Sequence, residues 1–132
     1  ALDCGLLMLN QKAMQFYNRI GYHKFEGMAL AEDERESLFQ DLGHHKAMIL
    51  RHHGLLCVGA DVSEAFSVAY ALEISCRVQM QILASGQPYT IPNEQILEQT
   101  AQQLNGFPVS PREREWSGLL QLLERVNPGY DG

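Results

Sequence analysis

The sequence has little cysteine, and what it has is badly placed for cross-linking. Cys4, Cys57 and Cys76 are odd in number, far apart and set among apolar residues, and no Cys-x-x-Cys pair occurs. That argues against a disulfide framework, a cysteine-rich zinc module and a thioredoxin-type redox site, and it reads as buried free thiols in a reducing cytoplasm. Positive charge is thin as well. Ten Lys and Arg are scattered along 132 residues against sixteen Asp and Glu, leaving a net charge of −6. Nucleic-acid and anionic membrane surfaces both need clustered positive charge, so neither partner is expected. No apolar run approaches the length that spans a bilayer, and no basic and apolar leader of the signal-peptide kind is present. The phosphate-binding P-loop, Gly-x-Gly-x-x-Gly, His-Glu-x-x-His and Gly-x-Ser-x-Gly patterns are missing too, which removes the commonest nucleotide, metalloprotease and serine-hydrolase signatures.

What is present suffices for one domain. Hydrophobic residues make up 45% of the chain, enough for a packed core, and no repeat or second domain interrupts it. The chain opens at Ala1 inside an apolar run and without an initiator Met, as a piece of a longer protein would. Gly5–Leu9 reads as a strand, and Asn10 caps a short helix over Gln11–Tyr17 with Ala13, Met14, Phe16 and Tyr17 as core contacts. Arg19–Phe25 alternates loosely around Gly21, placing Ile20, Tyr22 and Phe25 inward and leaving His23 as a solvated surface histidine. Glu32–Leu42 begins with three acidic residues, which suits the positive end of a helix. Its stripe is Leu38, Phe39 and Leu42, and Gly43 stops it.

Asp61 and Glu64 have the spacing of a capping box for the longest element, a helix over Val62–Ser85 that Gly86 and Pro88 end. Ala65, Phe66, Ala69, Leu72, Cys76 and Met80 share one face, and further apolar residues spread around the cylinder, as in a helix covered on two sides, one of them plausible for another subunit. Asn93–Leu104 forms a helix with Leu97, Ala101 and Leu104 inward. Ser110, Pro111 and Glu113 announce a last helix whose stripe is Trp116, Leu119, Leu120 and Leu123.

The organising stretch is Lys46–Ala60, KAMILRHHGLLCVGA. Two apolar runs too short for helices, Lys46–Arg51 and Leu55–Val58, read as strands covered on both faces. They meet at His52-His53-Gly54, where Gly54 permits a sharp turn or a close approach. His44, His45, His52 and His53 are the one concentration of versatile ligands. His44 and His45 are explained by favourable contact with a helix carboxyl end. Strand alternation sends His52 and His53 to opposite faces, so at most one of them serves a single site. A zinc site needs three or four ligands, and spacing alone therefore favours a histidine bonded to backbone at a strand end.

Ile49–Ala60 (ILRHHGLLCVGA), followed by Asp61–Gln79 (DVSEAFSVAYALEISCRVQ), resembles the class II aldolase/adducin family: an apolar strand, His-Gly-Leu, a short strand ending in Gly, then Val-x-Glu-Ala and a long helix. GLLMLNQKAM at Gly5–Met14, YHKFEGMAL at Tyr22–Leu30, and the closing EWSGLLQLLERVNPGYDG, similar to the adducin-like branch in bacteria, extend the likeness over nearly the whole chain.

The resemblance implies an α/β fold, three layers (α/β/α) around a central, largely antiparallel or mixed sheet. Here it would be incomplete on its N-terminal side, with residues 1–132 forming the C-terminal portion of a single domain. It implies a homo-oligomer, a tetramer with sites between subunits, and a cytoplasmic enzyme acting on a small oxygenated, sugar or sugar-phosphate-like substrate. It also implies zinc or another divalent metal held by three histidines, two from a His-x-His motif and the third directly before the glycine, which here is His53. That metal would polarise a carbonyl and hydroxyl of the substrate.

Two departures qualify the likeness. No His-x-His occurs in the 132 residues; by the family's layout it would precede Ala1, so these residues alone are not expected to retain zinc or to catalyse. Gln11 stands near the position of the aldolases' proton-donating tyrosine and cannot act as a general acid, although it can orient a substrate. No catalytic residue is assigned, and aldol cleavage stands beside epimerisation, dehydration and decarboxylation. The alternative is a non-catalytic, adducin-like module for protein association.

Overall fold

The computed structural model describes residues 1–27, 32–106 and 111–130, with the side chains of 32–34 and 111–114 left aside. The expected capping box of the last helix and the acidic start of Glu32–Leu42 fall outside the described residues. Along the chain come α1 (Gln11–Met14), β1 (Gly21–His23), α2 (Glu32–Leu42), β2 (Ala47–Leu50), β3 (Gly54–Cys57), α3 (Val62–Ala84), α4 (Glu94–Asn105) and α5 (Pro111–Val126).

The described strands form one sheet in the order β1-β2-β3. β1 pairs with β2 in parallel, Gly21 opposite Met48, and the crossover this requires carries α2. β2 and β3 are antiparallel, with Met48 opposite Leu56 and Leu50 opposite Gly54. The sheet is therefore mixed, as expected.

Side-chain parity divides the two faces. Gly21 and His23 look toward α2, close enough that a Cβ on Gly21 would lie 2.5 Å from the Asp41 carbonyl oxygen. On the other face Ala47, Ile49 and Cys57 join Leu6, Met8, Ala13, Phe16, Ala71, Leu72 and Leu97 in the main core. So α2 covers one face and α3, α1 and α4 the other, the α/β/α layering that the family pattern implies.

Several local expectations are corrected. Gly5–Leu9 is not a strand; side chains take the amides of its middle residues, with Leu6 N–H donating to the Tyr22 hydroxyl and Leu7 N–H to Gln79. The Asn10 cap is present, its Oδ1 accepting from Ala13 N–H at 3.0 Å, but the helix ends at Met14. His23 is buried and Tyr22 exposed because β1 turns its odd-numbered side chains onto α2, and Phe25, beyond the end of β1, is exposed as well. Phe39 is 74% exposed, so the stripe of α2 narrows to Leu38 and Leu42. The reading of two strands covered on both faces holds for β2 but fails for β3, an edge among the described strands whose Leu55 is exposed.

The buried face of α3 is Glu64, Ala71, Leu72, Ser75 and Gln79, while Phe66 and Met80 are exposed. Leu97 and Ala101 of α4 are buried as read. On α5, Trp116, Leu120 and Leu123 are half-buried and Leu119 is exposed; Trp116 packs on Phe66 of α3 with ring centroids 5.6 Å apart. Cys4 is exposed, and Cys57 and Cys76 are half-buried, all three free. No described helix is long and apolar enough to cross a membrane.

Candidate functional site

The β2–β3 connection is a three-residue loop, Arg51-His52-His53, closed by the Leu50–Gly54 pair. Its turn depends on His52, whose φ is +59°, a left-handed conformation that histidine adopts more readily than most side chains. Gly54 keeps an ordinary backbone in β3, and a Cβ there would meet open space, so the special conformation sits two residues earlier than expected. The loop is anchored at both ends. Arg51 N–H donates to the His23 carbonyl at 2.9 Å, prolonging the β1–β2 pairing, and His53 N–H donates to the Leu50 carbonyl at 3.1 Å. The His52 ring meets Phe25 edge-on at 6.3 Å.

Both histidines are exposed, and both contribute to the wall of one cavity of about 330 Å³. Opposite faces were expected from strand alternation. The two residues lie in a loop and not in a strand, with the left-handed step at His52, whose ring lies against Phe25. Ile49 and Leu55 form the floor on the sheet side, and Cys76, Gln79 and Met80 of α3 the side. The remaining wall is the amino-terminal segment, with Ala1, Leu2 and Leu6. The Arg51 guanidinium ties that segment down by donating to the Leu2 carbonyl at 3.4 Å.

The polar residues of the wall are His52, His53, Gln79 and Cys76, set in an apolar lining. Burial pushes the Cys76 thiol up, and the charge of Glu73 pushes it the same way. It is therefore a neutral thiol near pH 7, unsuited to nucleophilic attack. Among the described residues no three of His, Cys, Asp and Glu converge to hold a metal ion. His53 can give one ligand, and a closed first coordination sphere would have to draw on other residues.

Gln11 is exposed at the start of α1 and takes no part in the cavity wall. His44 and His45 sit in the turn after α2, with ring centroids 4.3 Å apart. Burial lowers the His45 pKa and the neighbouring His44 lowers it further, the reverse of a cation favoured at a helix end. Gln79 was not expected in a site, and His23, expected at the surface, is 4% exposed. Gln79 is 4% exposed and stands four residues beyond Ser75 and seven beyond Leu72, so it occupies the buried face of α3. Its amide group hid that placement from a search for apolar stripes.

With this geometry in view, the likeness to known proteins is specific. Residues 1–80 match the family model described as Class II Aldolase and Adducin N-terminal domain. A protein of Caulobacter vibrioides named "Putative aldolase class 2 protein" is 33% identical over 96% of this chain and 49% of its own length. Alpha-adducin of Rattus norvegicus is 37% identical over 64% of this chain and 12% of its own. A crystal structure of an aldolase II superfamily protein from Pseudomonas syringae superposes with a TM-score of 0.90 at 34% identity, over 100% of this chain and 53% of the other. L-fuculose 1-phosphate aldolase from Glaciozyma antarctica gives 0.72 at 26% identity, over 92% of this chain and 44% of the other.

The chain belongs to the class II aldolase/adducin family. It spans about half the length of the bacterial relatives it matches.

Proposed function

We propose that this chain is the C-terminal portion of a class II aldolase-type domain. In its complete form that domain would be a metal-dependent lyase for a small oxygenated, sugar-like substrate. His53 supplies one ligand to a zinc or other divalent-metal centre, and the remaining ligands come from residues upstream of Ala1.

The observation that carries this reading is the shared wall. The exposed His53 loop and the Ala1–Leu2 end of the amino-terminal segment face one cavity, so residues joined to Ala1 would emerge beside the histidine. The likeness to L-fuculose 1-phosphate aldolase supports a sugar-type substrate. In this reading the enzyme is a cytoplasmic homo-oligomer, a tetramer. Gln11, which does not line the cavity of its own subunit, would serve a substrate in a neighbouring subunit's site.

The similarity to alpha-adducin favours a second reading, an association module that needs no metal. Zinc content separates the two. In a form extended upstream to the length of its relatives, about one zinc per subunit, lost in His53→Ala, is the result expected of the lyase. No metal uptake after supplementation, together with an unchanged oligomer, would leave the association module.

A further inference from the structure

Residues Gly5–Leu9 lie outside the sheet, yet their backbone groups still need partners. Gly5 N–H donates to the Leu2 carbonyl and Leu9 N–H to the Leu7 carbonyl, and two side chains serve the groups between. Gln79 Oε1 accepts from Leu7 N–H at 2.7 Å, and its Nε2 donates to the Gly5 carbonyl at 2.8 Å. A longer approach, 3.8 Å, brings Nε2 to Cys4 Sγ. The Tyr22 hydroxyl accepts from Leu6 N–H at 3.0 Å. Gly5, at φ +64°, lies so close over that ring that a Cβ would stand 2.8 Å from the hydroxyl oxygen.

A carboxamide offers one acceptor and a donor in a plane, as a peptide group does. Gln79 engages the carbonyl of Gly5 and the amide of Leu7, the two groups that a neighbouring strand would engage from one residue. It is 4% exposed, so a group left without its bond would be poorly solvated. The same Gln79, with Gly5 and Leu6, lines the cavity that holds His53.

We propose that Gln79 is the positioning residue of the His53 cavity, a surrogate strand partner that fixes the Gly5–Leu7 wall opposite the histidine loop. The proposal rests on the reading of that cavity as the ligand site. A space-filling residue would be replaced by leucine at a cost spread over the whole fold. A surrogate strand partner would fail locally, and a side chain that retains its acceptor would rescue part of the effect.

The test follows site-resolved amide exchange and Cys76 alkylation in the 132-residue chain carrying Gln79→Leu or Gln79→Glu. In Gln79→Leu, exchange at Leu7 is expected to rise about tenfold or more beyond any change at Leu97 in α4, because the opening is local. Cys76, in the same cavity wall, should alkylate faster. Gln79→Glu keeps the acceptor for Leu7 N–H and loses the donor to Gly5. It should restore protection at Leu7 while Cys76 remains faster than in the parent.

Leu7 exchange that merely tracks Leu97 in Gln79→Leu overturns the proposal. If that variant does not fold, Gln79→Glu decides alone: loss of protection at Leu7, or Cys76 alkylation at the parental rate, overturns it. The zinc measurement on His53→Ala reports on the site reading separately. Expected exchange with no zinc uptake keeps Gln79 as the clamp of this wall and removes the metal; parental exchange removes the clamp whatever the zinc content.

Discussion

Nδ1 of His23 on β1 lies 2.8 Å from Oδ2 of Asp41 on α2, a polar tie between that helix and the sheet. A carboxylate only accepts, so the proton sits on Nδ1, and Nε2 is left buried without a partner. The imidazole is 4% exposed and the carboxylate 43%, so the two halves of the pair are unequal. Asp41→Ala strands both nitrogens of a buried ring and should cost about 1–3 kcal/mol. His23→Phe removes the orphaned nitrogen together with the bond and returns Asp41 to water, so it should cost less. Urea midpoints at constant slope give the order; a larger loss for His23→Phe would contradict the pairing.

Gly59 and Gly54 bracket β3 and should respond oppositely to alanine. A Cβ on Gly59 would lie 2.5 Å from the backbone nitrogen of Ala65 and 2.7 Å from Glu64 Cβ. The first turn of α3 is held there by Glu64, which accepts from Ala60 N–H at 2.7 Å and pairs with Lys46. Forcing that contact apart costs about 1–3 kcal/mol as overpacking. Nothing lies within 4 Å of a Cβ on Gly54, and Gly54→Ala should stay within about 0.5 kcal/mol, as open surface positions do. Thermal midpoints of the two variants decide. Equal losses would mean that the turn depends on Gly54 after all, and not on His52.

His45 makes stability fall on mild acidification. Burial depresses its pKa below the ordinary 6.5, and the adjacent His44 depresses it further. The unfolded chain therefore binds a proton before the folded chain does, and stability rises with pH through this range. The contribution is fully present above about 6.5 and is lost as pH falls through the folded value. His45→Asn should flatten the dependence between pH 7.5 and 5.5, read from denaturant midpoints at the two pH values. A variant with the parental slope would place the source elsewhere.

The elements that the sequence disclosed are those whose signals are local. Asn10 and Asp61 each accept the amide three residues on, at 3.0 and 2.7 Å, where the capping pattern put the helix starts; Asn93, read as the first helical residue, is likewise a cap at 3.0 Å. The histidine hairpin was legible from two short apolar runs around His52-His53-Gly54. The buried face of α3 was not, because three of its members are polar and each is satisfied by a partner that periodicity cannot see. Glu64 is met by Lys46, Ser75 donates to the Ala71 carbonyl at 2.7 Å, and Gln79 meets residues seventy-two and more positions away. His23 looked like a surface residue for the same reason: its partner, Asp41, lies on the next helix. Placing His52 and His53 in one wall required a backbone angle, and no residue count supplies one.

The three cysteines should separate cleanly by reactivity. Cys4 is exposed, whereas Cys57 and Cys76 are half-buried. Burial raises the Cys57 pKa, and proximity to Cys76 raises it further; burial and then Glu73 do the same for Cys76. Thiolate is the attacking species, so at pH 8 both should alkylate at least about tenfold more slowly than Cys4. In denaturant all three should react alike. The same shifts carry a stability sign. The folded chain holds these two protons more tightly than the unfolded one, so their contribution is complete below the ordinary thiol value of 9.0 and is lost as pH rises past it. Replacing both residues with alanine should therefore lessen the fall in midpoint between pH 8.5 and 10. If Cys57 or Cys76 keeps pace with Cys4 in the native chain, the packing of β3 against α3 is looser than described, and Cys76 can no longer report on the Gly5–Leu7 wall.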